Sequence, residues 1–256
     1  MSRYQPYPEY KDSGVEWIGE VPAHWEVRKA KLLASIIPSG VTKSSEEDGS
    51  SVRFLSTSVV YQYEYIDDEI DLEYVTASEN EKRRLLLKEG DIIITKDSVV
   101  PDRIAEAAIV LESLTDVICG YHLVRVSPDR DIVDPAFLFF AISNRQANSY
   151  FLSRSRGTTI IGISYEVIAN VVMPSPDISE QTQIATFLDR ETTRIDTLIE
   201  KKQRFIELLE EKRQAVITHA VTKGLDPDVP MKDSGVEWIG EVPAHWEVRK
   251  AKLLAS

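Results

Sequence analysis

Apolar and polar positions fall in short or alternating runs through the first half of the chain, and the period then changes. From Val52 to about Val126 the runs RFLSTSVV, GDIIITK (Gly90–Lys96), AAIVL (Ala107–Leu111) and VICGYHLVRV (Val117–Val126) are rich in Val and Ile and bounded by Gly, Asp, Pro and Ser. That pattern predicts strands of a mixed or antiparallel sheet. A helix is predicted next, with Asp134 as N-cap, Pro135 at the first helical position and Phe137, Leu138, Ala141 and Ile142 as its apolar series, ending near Tyr150–Leu152. The polar loop SRSRGTT (Ser153–Thr159), a short apolar segment and the stop Pro174-Ser175-Pro176 follow. A domain boundary is expected at that stop.

From about Ser179 to Lys223 the chain has no Gly or Pro. Asp177 or Ser179 can cap the start, and Gly224 with Pro227 beyond it ends the helix. Leu188, Ile195, Leu198, Ile199, Phe205, Ile206, Leu209, Val216 and Ile217 recur at three- and four-residue spacings, an apolar stripe on one face of a helix. The opposite face is charged, with Glu200 four residues before Arg204 as a supporting pair. Lys202 and Lys212 fall near the seam, which suits a pairing whose register is fixed by polar interruptions. About 40 helical residues rise roughly 60 Å, so part of the stripe must meet something beyond its own domain. A partner helix is implied; the other reading folds this helix back onto the sheet to complete the core.

The segment KDSGVEWIGEVPAHWEVRKAKLLAS stands at Lys11–Ser35 and again, unchanged, at Lys232–Ser256. In the first copy Trp17 and Trp25 lie eight residues apart and need a surface to cover. Three regions result: 1–176, 177–224 and 225–256, the last beginning a repeat of the first.

Composition narrows the chemistry. The 256 residues are 43% hydrophobic, enough for a substantial core. No run reaches the roughly 20 apolar residues of a membrane helix, and MSRYQPYPEY has no signal-like stretch, so a cytoplasmic protein without membrane partners is expected. The lone Cys119 sits among Val117, Ile118 and Tyr121 and reads as a small buried residue. His24, His122, His219 and His245 have no zinc spacing, and no phosphate loop or dinucleotide fingerprint is present. No catalytic, metal or cofactor site is therefore assigned in this chain. The net charge of -12 argues against nonspecific nucleic-acid binding, yet basic residues cluster at Lys82–Arg84 and in SRSRGTT. Either cluster can be a solvated patch. Read as function, Arg154 and Arg156 offer planar forks to guanine or phosphate, while Gly157, Thr158 and Thr159 permit close approach to a backbone.

The opening YKDSGVEWIGEVPAHWEVRKAK, the GDIIITKDS turn, the helix entry PSPDISEQTQIATFLD and the stretch TTRIDTLIEKKQRFIELLEEKRQAVITHAVTKGLDP resemble the specificity subunit of type I restriction-modification systems. The resemblance covers essentially the whole chain. It implies an α+β fold, a mixed-sheet target recognition domain followed by a long helix that pairs as an antiparallel coiled coil. It also implies double-stranded DNA as ligand, with modification subunits that bind S-adenosylmethionine and methylate adenine, and restriction subunits that use ATP and magnesium. The specificity subunit itself is implied to be non-catalytic.

A full subunit of that family carries two recognition domains, whereas this sequence contains one and the first 25 residues of another. It therefore reads as a half-length form that rebuilds the pair as a homodimer on two inverted half-sites, spaced by the helix. The rival reading is a coiled-coil scaffold that binds modification or full-length specificity subunits without reading DNA. The second copy of the repeat either docks as the first does, on a neighbouring chain or the same surface, or is an idle relic. Recognition domains differ as their targets differ, so base contacts are assigned from the residues: Arg154, Arg156, Thr158 and Thr159, then Lys96, Ser98 and Arg103 after GDIIITK.

Overall fold

In a computed structural model, which describes residues 6–38 and 50–249, the strand Ile92–Thr95 lies at the centre of a five-stranded sheet. The order across it is Ala34–Pro38, Leu123–Pro128, Ile92–Thr95, Ala107–Val110 and Tyr65–Ile66; the last pair is parallel and the others antiparallel. The apolar runs are unbroken because both faces of this sheet are covered. Ile92 and Ile94 enter one core with Phe137, Leu138 and Phe151, while Ile93 enters another with Leu55, Val117 and Leu123, as the two-residue period of a strand requires. Ser50–Leu55 forms a second sheet with Glu73–Ala77, antiparallel, and Val117–Cys119, parallel. The fold is α+β with mixed sheets.

Three predicted elements are divided. RFLSTSVV is a strand only as far as Leu55; after Ser56 the helix Thr57–Gln62 begins. VICGYHLVRV breaks at Gly120, where the chain passes close under Phe54 and a Cβ would stand 2.6 Å from that ring. The helix capped by Asp134, whose Oδ1 accepts from the Ala136 and Phe137 N–H groups at 2.9 and 3.0 Å, stops at Ser143. Asn144 then caps a second helix, Arg145–Arg154, by accepting from Gln146 and Ala147. Residues 39–49, with Gly40 and the Glu46-Glu47 pair, and the end of the second repeat from 250 lie outside the described residues.

The chain divides into two compact units, Met1–Asp189 and Arg190–Ser256, and one helix, Ile178–Lys223, runs through the division. Asp177 caps it, accepting from the Glu180 N–H at 2.9 Å. Its first turns belong to the first unit. Gln181, 1% exposed, accepts from the Asp134 N–H and donates to the Pro176 carbonyl at 2.8 Å. Glu180 gathers the N-terminal strap: its carboxylate accepts from Trp25 Nε1 at 3.0 Å, meets His24 Nε2 at 3.0 Å and takes the Tyr7 hydroxyl, which pushes the Tyr7 phenol up to about 12. Hydrogen bonds to a charged group contribute about 1.5–3 kcal/mol each when buried, less here at the half-exposed His24. Glu180→Ala is expected to lower stability by about 2–4 kcal/mol, with faster proteolysis ahead of Lys29; urea unfolding and limited digestion measure both.

In the second unit Ile195, Leu198, Ile199, Phe205, Ile206, Leu209 and Val216 are 47–60% exposed. In the first, Leu188 is half-buried. The supporting ion pair differs from the expected one: Arg204 meets Glu207 at 2.8 Å, three residues on, instead of Glu200.

Candidate nucleic-acid interface

A two-residue ladder joins the loops on which the candidate DNA contacts lie. Asp97–Ser98 pairs antiparallel with Ile161–Gly162, and the Ile163 N–H donates to the Lys96 carbonyl at 2.8 Å. The segment Lys96–Arg103 thus runs beside the one bearing Arg154–Thr159. That second loop closes on itself through Arg156 and Gly162, which exchange backbone hydrogen bonds of 2.9 and 2.8 Å. Gly157 makes the closure possible. Its φ is +124, and a Cβ there would stand 2.0 Å from the Ile160 carbonyl oxygen, a conformation and a spacing that only glycine tolerates.

The tip from Arg156 to Ile160 is exposed. Arg154 ends its helix with the guanidinium 3.8 Å from the Tyr150 ring centroid and Nη1 donating to Ser153 Oγ at 2.9 Å. Stacking of this kind holds a planar cation in one orientation. Among the described residues neither Arg154 nor Arg156 has a carboxylate partner, so both forks remain available to an anion or a base edge. A cleft of about 620 Å³ lies beside them, lined by Tyr150, Arg154, Arg156, Ser164, Glu166 and Asn170.

Lys96, Ser98 and Arg103 lie next to this surface but are engaged within the domain. Lys96 pairs with Asp97 at 2.5 Å and sits 4.6 Å from the Tyr121 ring centroid. Ser98 is 4% exposed; its Oγ accepts from the Tyr61 hydroxyl at 2.9 Å and donates to the Val100 carbonyl at 2.7 Å. Arg103 grips Glu106 with two bonds of 2.7 Å and stacks 4.0 Å from the Tyr61 centroid; the Glu106 contact raises its pKa. These groups fix the neighbouring segment Lys96–Arg103, whose backbone pairs with Ile161–Gly162 at the end of the arginine loop. Sequence reasoning missed Tyr121 and His122, which are exposed, and His122 Nδ1 meets Asp97 Oδ2 at 2.8 Å. Their sequence signal is the turn Gly120-Tyr121-His122 at the head of a strand whose Leu123 lies opposite Thr95, beside Lys96.

The other basic cluster is structural in part. Lys82 pairs with Glu79 at 2.9 Å on a helix capped by Ser78, and the Arg84 carbonyl accepts from the buried Arg125 at 2.8 Å. Cys119 is fully buried, and desolvation pushes its thiol up to about 12, so it packs as an apolar residue. Among the described residues no three His, Cys, Asp or Glu side chains gather as metal ligands, and no helix is long and apolar enough to cross a membrane.

Fold and surface together give a mixed-sheet domain, with two arginines that lack acidic partners at and beside a glycine-shaped loop, that leads into a long helix with an exposed apolar stripe. Residues 22–208 match the family described as the type I restriction modification DNA specificity domain, and the chain belongs to that family. It is 27% identical over 238 residues to the putative type I restriction enzyme MjaX specificity subunit of Methanocaldococcus jannaschii, covering 90% of this chain and 52% of that protein. The fold is shared with a chain solved in a study of complex assembly and conformational transition of the type I R-M system, at 17% identity and a TM-score of 0.63, covering 84% of this chain and 49% of that one. It is shared also with the HsdS subunit from Thermoanaerobacter tengcongensis, at 16% identity and a TM-score of 0.57, covering 84% and 48%. The chain spans about half the length of these proteins.

Proposed function

We propose that this chain reads DNA sequence for a type I restriction-modification assembly, that it carries no catalytic group of its own, and that two copies pair through antiparallel long helices. The exposed loop with Arg154 and Arg156 carries the reading. It offers two forks without internal carboxylates, one held flat on Tyr150, beside the hydroxyls of Thr158 and Thr159. Such forks bind guanine O6 and N7 or phosphate oxygens in two-pronged fashion. The homodimer is supported by the exposed stripe: a hydrophobic face of this extent on a charged helix is the mark of an interaction site. S-adenosylmethionine and adenine methylation belong to modification subunits in this reading, and ATP and magnesium to restriction subunits. The net charge of -12 suits a subunit whose long-range attraction to DNA is supplied by such partners.

The test is the methylome of cells expressing the chain with modification subunits of a type I system, alongside the mass of the purified assembly. Adenine methylation in a gapped palindrome, made by an assembly with two copies of this chain, is expected. A contiguous or asymmetric target overturns the twofold reading. Arg154→Ala or Arg156→Ala is expected to weaken DNA binding by about 1–3 kcal/mol. Relaxed choice at one position marks a base contact; uniform loss with a shallower salt dependence marks a phosphate contact.

A further inference from the structure

The second copy of the repeated segment folds as the first does, through the same local bonds. Met231–Asp233 pairs with Glu241–Pro243 in the register of Tyr10–Asp12 with Glu20–Pro22. The Gly235 N–H donates to Asp233 Oδ1 at 2.9 Å, as Gly14 does to Asp12 Oδ1 at 2.9 Å. Gly240 reaches the Val236 carbonyl at 3.0 Å, as Gly19 reaches that of Val15, and Val242 is 3% exposed, as Val21 is. The hairpin makes its own shape. Its surroundings differ. Trp17 packs on the domain core with its ring centroid 6.0 Å from that of Tyr150, whereas Trp238 is 83% exposed. Glu26–Lys29 pairs with Val172–Ser175, whereas Glu247–Arg249 lies in no strand.

We propose that this second hairpin docks on the recognition domain of a second copy of the chain, in the seat that the N-terminal hairpin fills in its own domain. That seat is walled by Tyr150, Asn170 and Val172 around the tryptophan and bordered by the strand Val172–Ser175. The repeat is identical from Lys11 to Ser35 and from Lys232 to Ser256, so a surface that fits one copy fits the other. The occupant is named by chemistry already visible in the docked pair. Competition between the two straps turns on what precedes them. Tyr7 bonds Glu180 in the N-terminal strap, and Asp228 stands in its place ahead of the second copy, where two carboxylates would repel. The N-terminal strap therefore holds the seat more firmly. The second takes it by exchange between copies, as in domain swapping, at the high effective concentration that helix pairing creates. Tyr150 and Arg154 line both this seat and the cleft at the reading loop, so an exchanged strap touches the pedestal of the DNA contacts. Strap exchange holds whether or not the chain reads DNA.

The experiment is disulfide trapping in the full chain. Ser175 lies opposite Glu26 in the antiparallel pair, within disulfide reach, and Glu247 is the second copy's counterpart of Glu26. Ser175→Cys with Glu26→Cys sets the yield of the occupied seat within one chain, while the native Cys119 is buried and silent. Ser175→Cys with Glu247→Cys is expected to give a covalent dimer on oxidation, read on a non-reducing gel. Its yield should rise several-fold when Tyr7→Phe removes the hydroxyl that favours the N-terminal strap. A crosslink confined to single chains, or none with Tyr7→Phe included while the Glu26 pair closes, overturns the proposal.

Discussion

In the proposed pairing of two copies through their long helices, Ile199→Asp is expected to give a monomer in solution while leaving the first unit folded. Ile199 is 60% exposed in the chain alone, so the aspartate meets water there and neither creates a cavity nor strains a neighbour. In a twofold pair the substitution enters twice, and Leu198 and Ile195, 54% and 55% exposed, flank it on the same stripe. Losing the burial of one such side chain removes about 1.5–3 kcal/mol, so two remove about 3–6 kcal/mol before any desolvation of the new carboxylates is counted. The dimer dissociation constant should therefore rise by about a hundredfold to ten-thousandfold. Light scattering across a dilution series measures the mass, and the melting of the first unit serves as the folding control. A variant that keeps the mass of the parent places the contact elsewhere. Arg204→Ala should change little, because the Arg204–Glu207 pair is solvent-exposed and such pairs contribute about 0–1 kcal/mol.

The long helix was legible in the sequence because every local signal agreed along it, from Asp177 at its cap to Gly224, with φ +79, at its end. The central strands were legible for a similar reason. Ile92, Ile93 and Ile94 are β-branched and all buried, so composition and burial coincide. Legibility failed where a short side chain overrides the hydrophobic pattern. Asn144 lies inside an apolar series that continues on both sides, yet its carbonyl oxygen captures the Gln146 and Ala147 N–H groups and starts a new helix. Thr57–Gln62 contains the β-branched pair Val59-Val60 and so reads as strand, but it is helical with Val60 alone buried. The candidate interface was visible as two separate loops. What joins them, Asp97–Ser98 against Ile161–Gly162, is too short to leave a period. The engagement of Arg103 did leave a trace, since Glu106 follows it by three residues across a tight turn.

Gly157→Val is expected to weaken DNA binding more than Arg156→Ala, although it removes no hydrogen-bond donor. At φ +124 a side chain is strained whatever the space, and here its first carbon would lie 2.0 Å from a backbone oxygen, which cannot rotate away as the end of a side chain can. The loop must open between Arg156 and Ile161, breaking the exchange of hydrogen bonds between Arg156 and Gly162. Arg156, Thr158 and Thr159 then leave their places together. If Arg156 alone is worth about 1–3 kcal/mol, the joint loss exceeds that range and the dissociation constant rises by about a hundredfold or more. The fold of the domain should survive, because residues 156–160 are exposed and the core beneath, from Phe151 to Ile163 and Ile168, does not depend on the tip. Arg154 keeps its stack on Tyr150, so residual binding should retain part of its salt dependence. Electrophoretic titration with the methylated target and its unmodified form, run at two salt concentrations beside Arg156→Ala, separates the cases. Equal losses for the two variants would mean that Arg156 acts alone and that the shape of the loop contributes nothing beyond holding it.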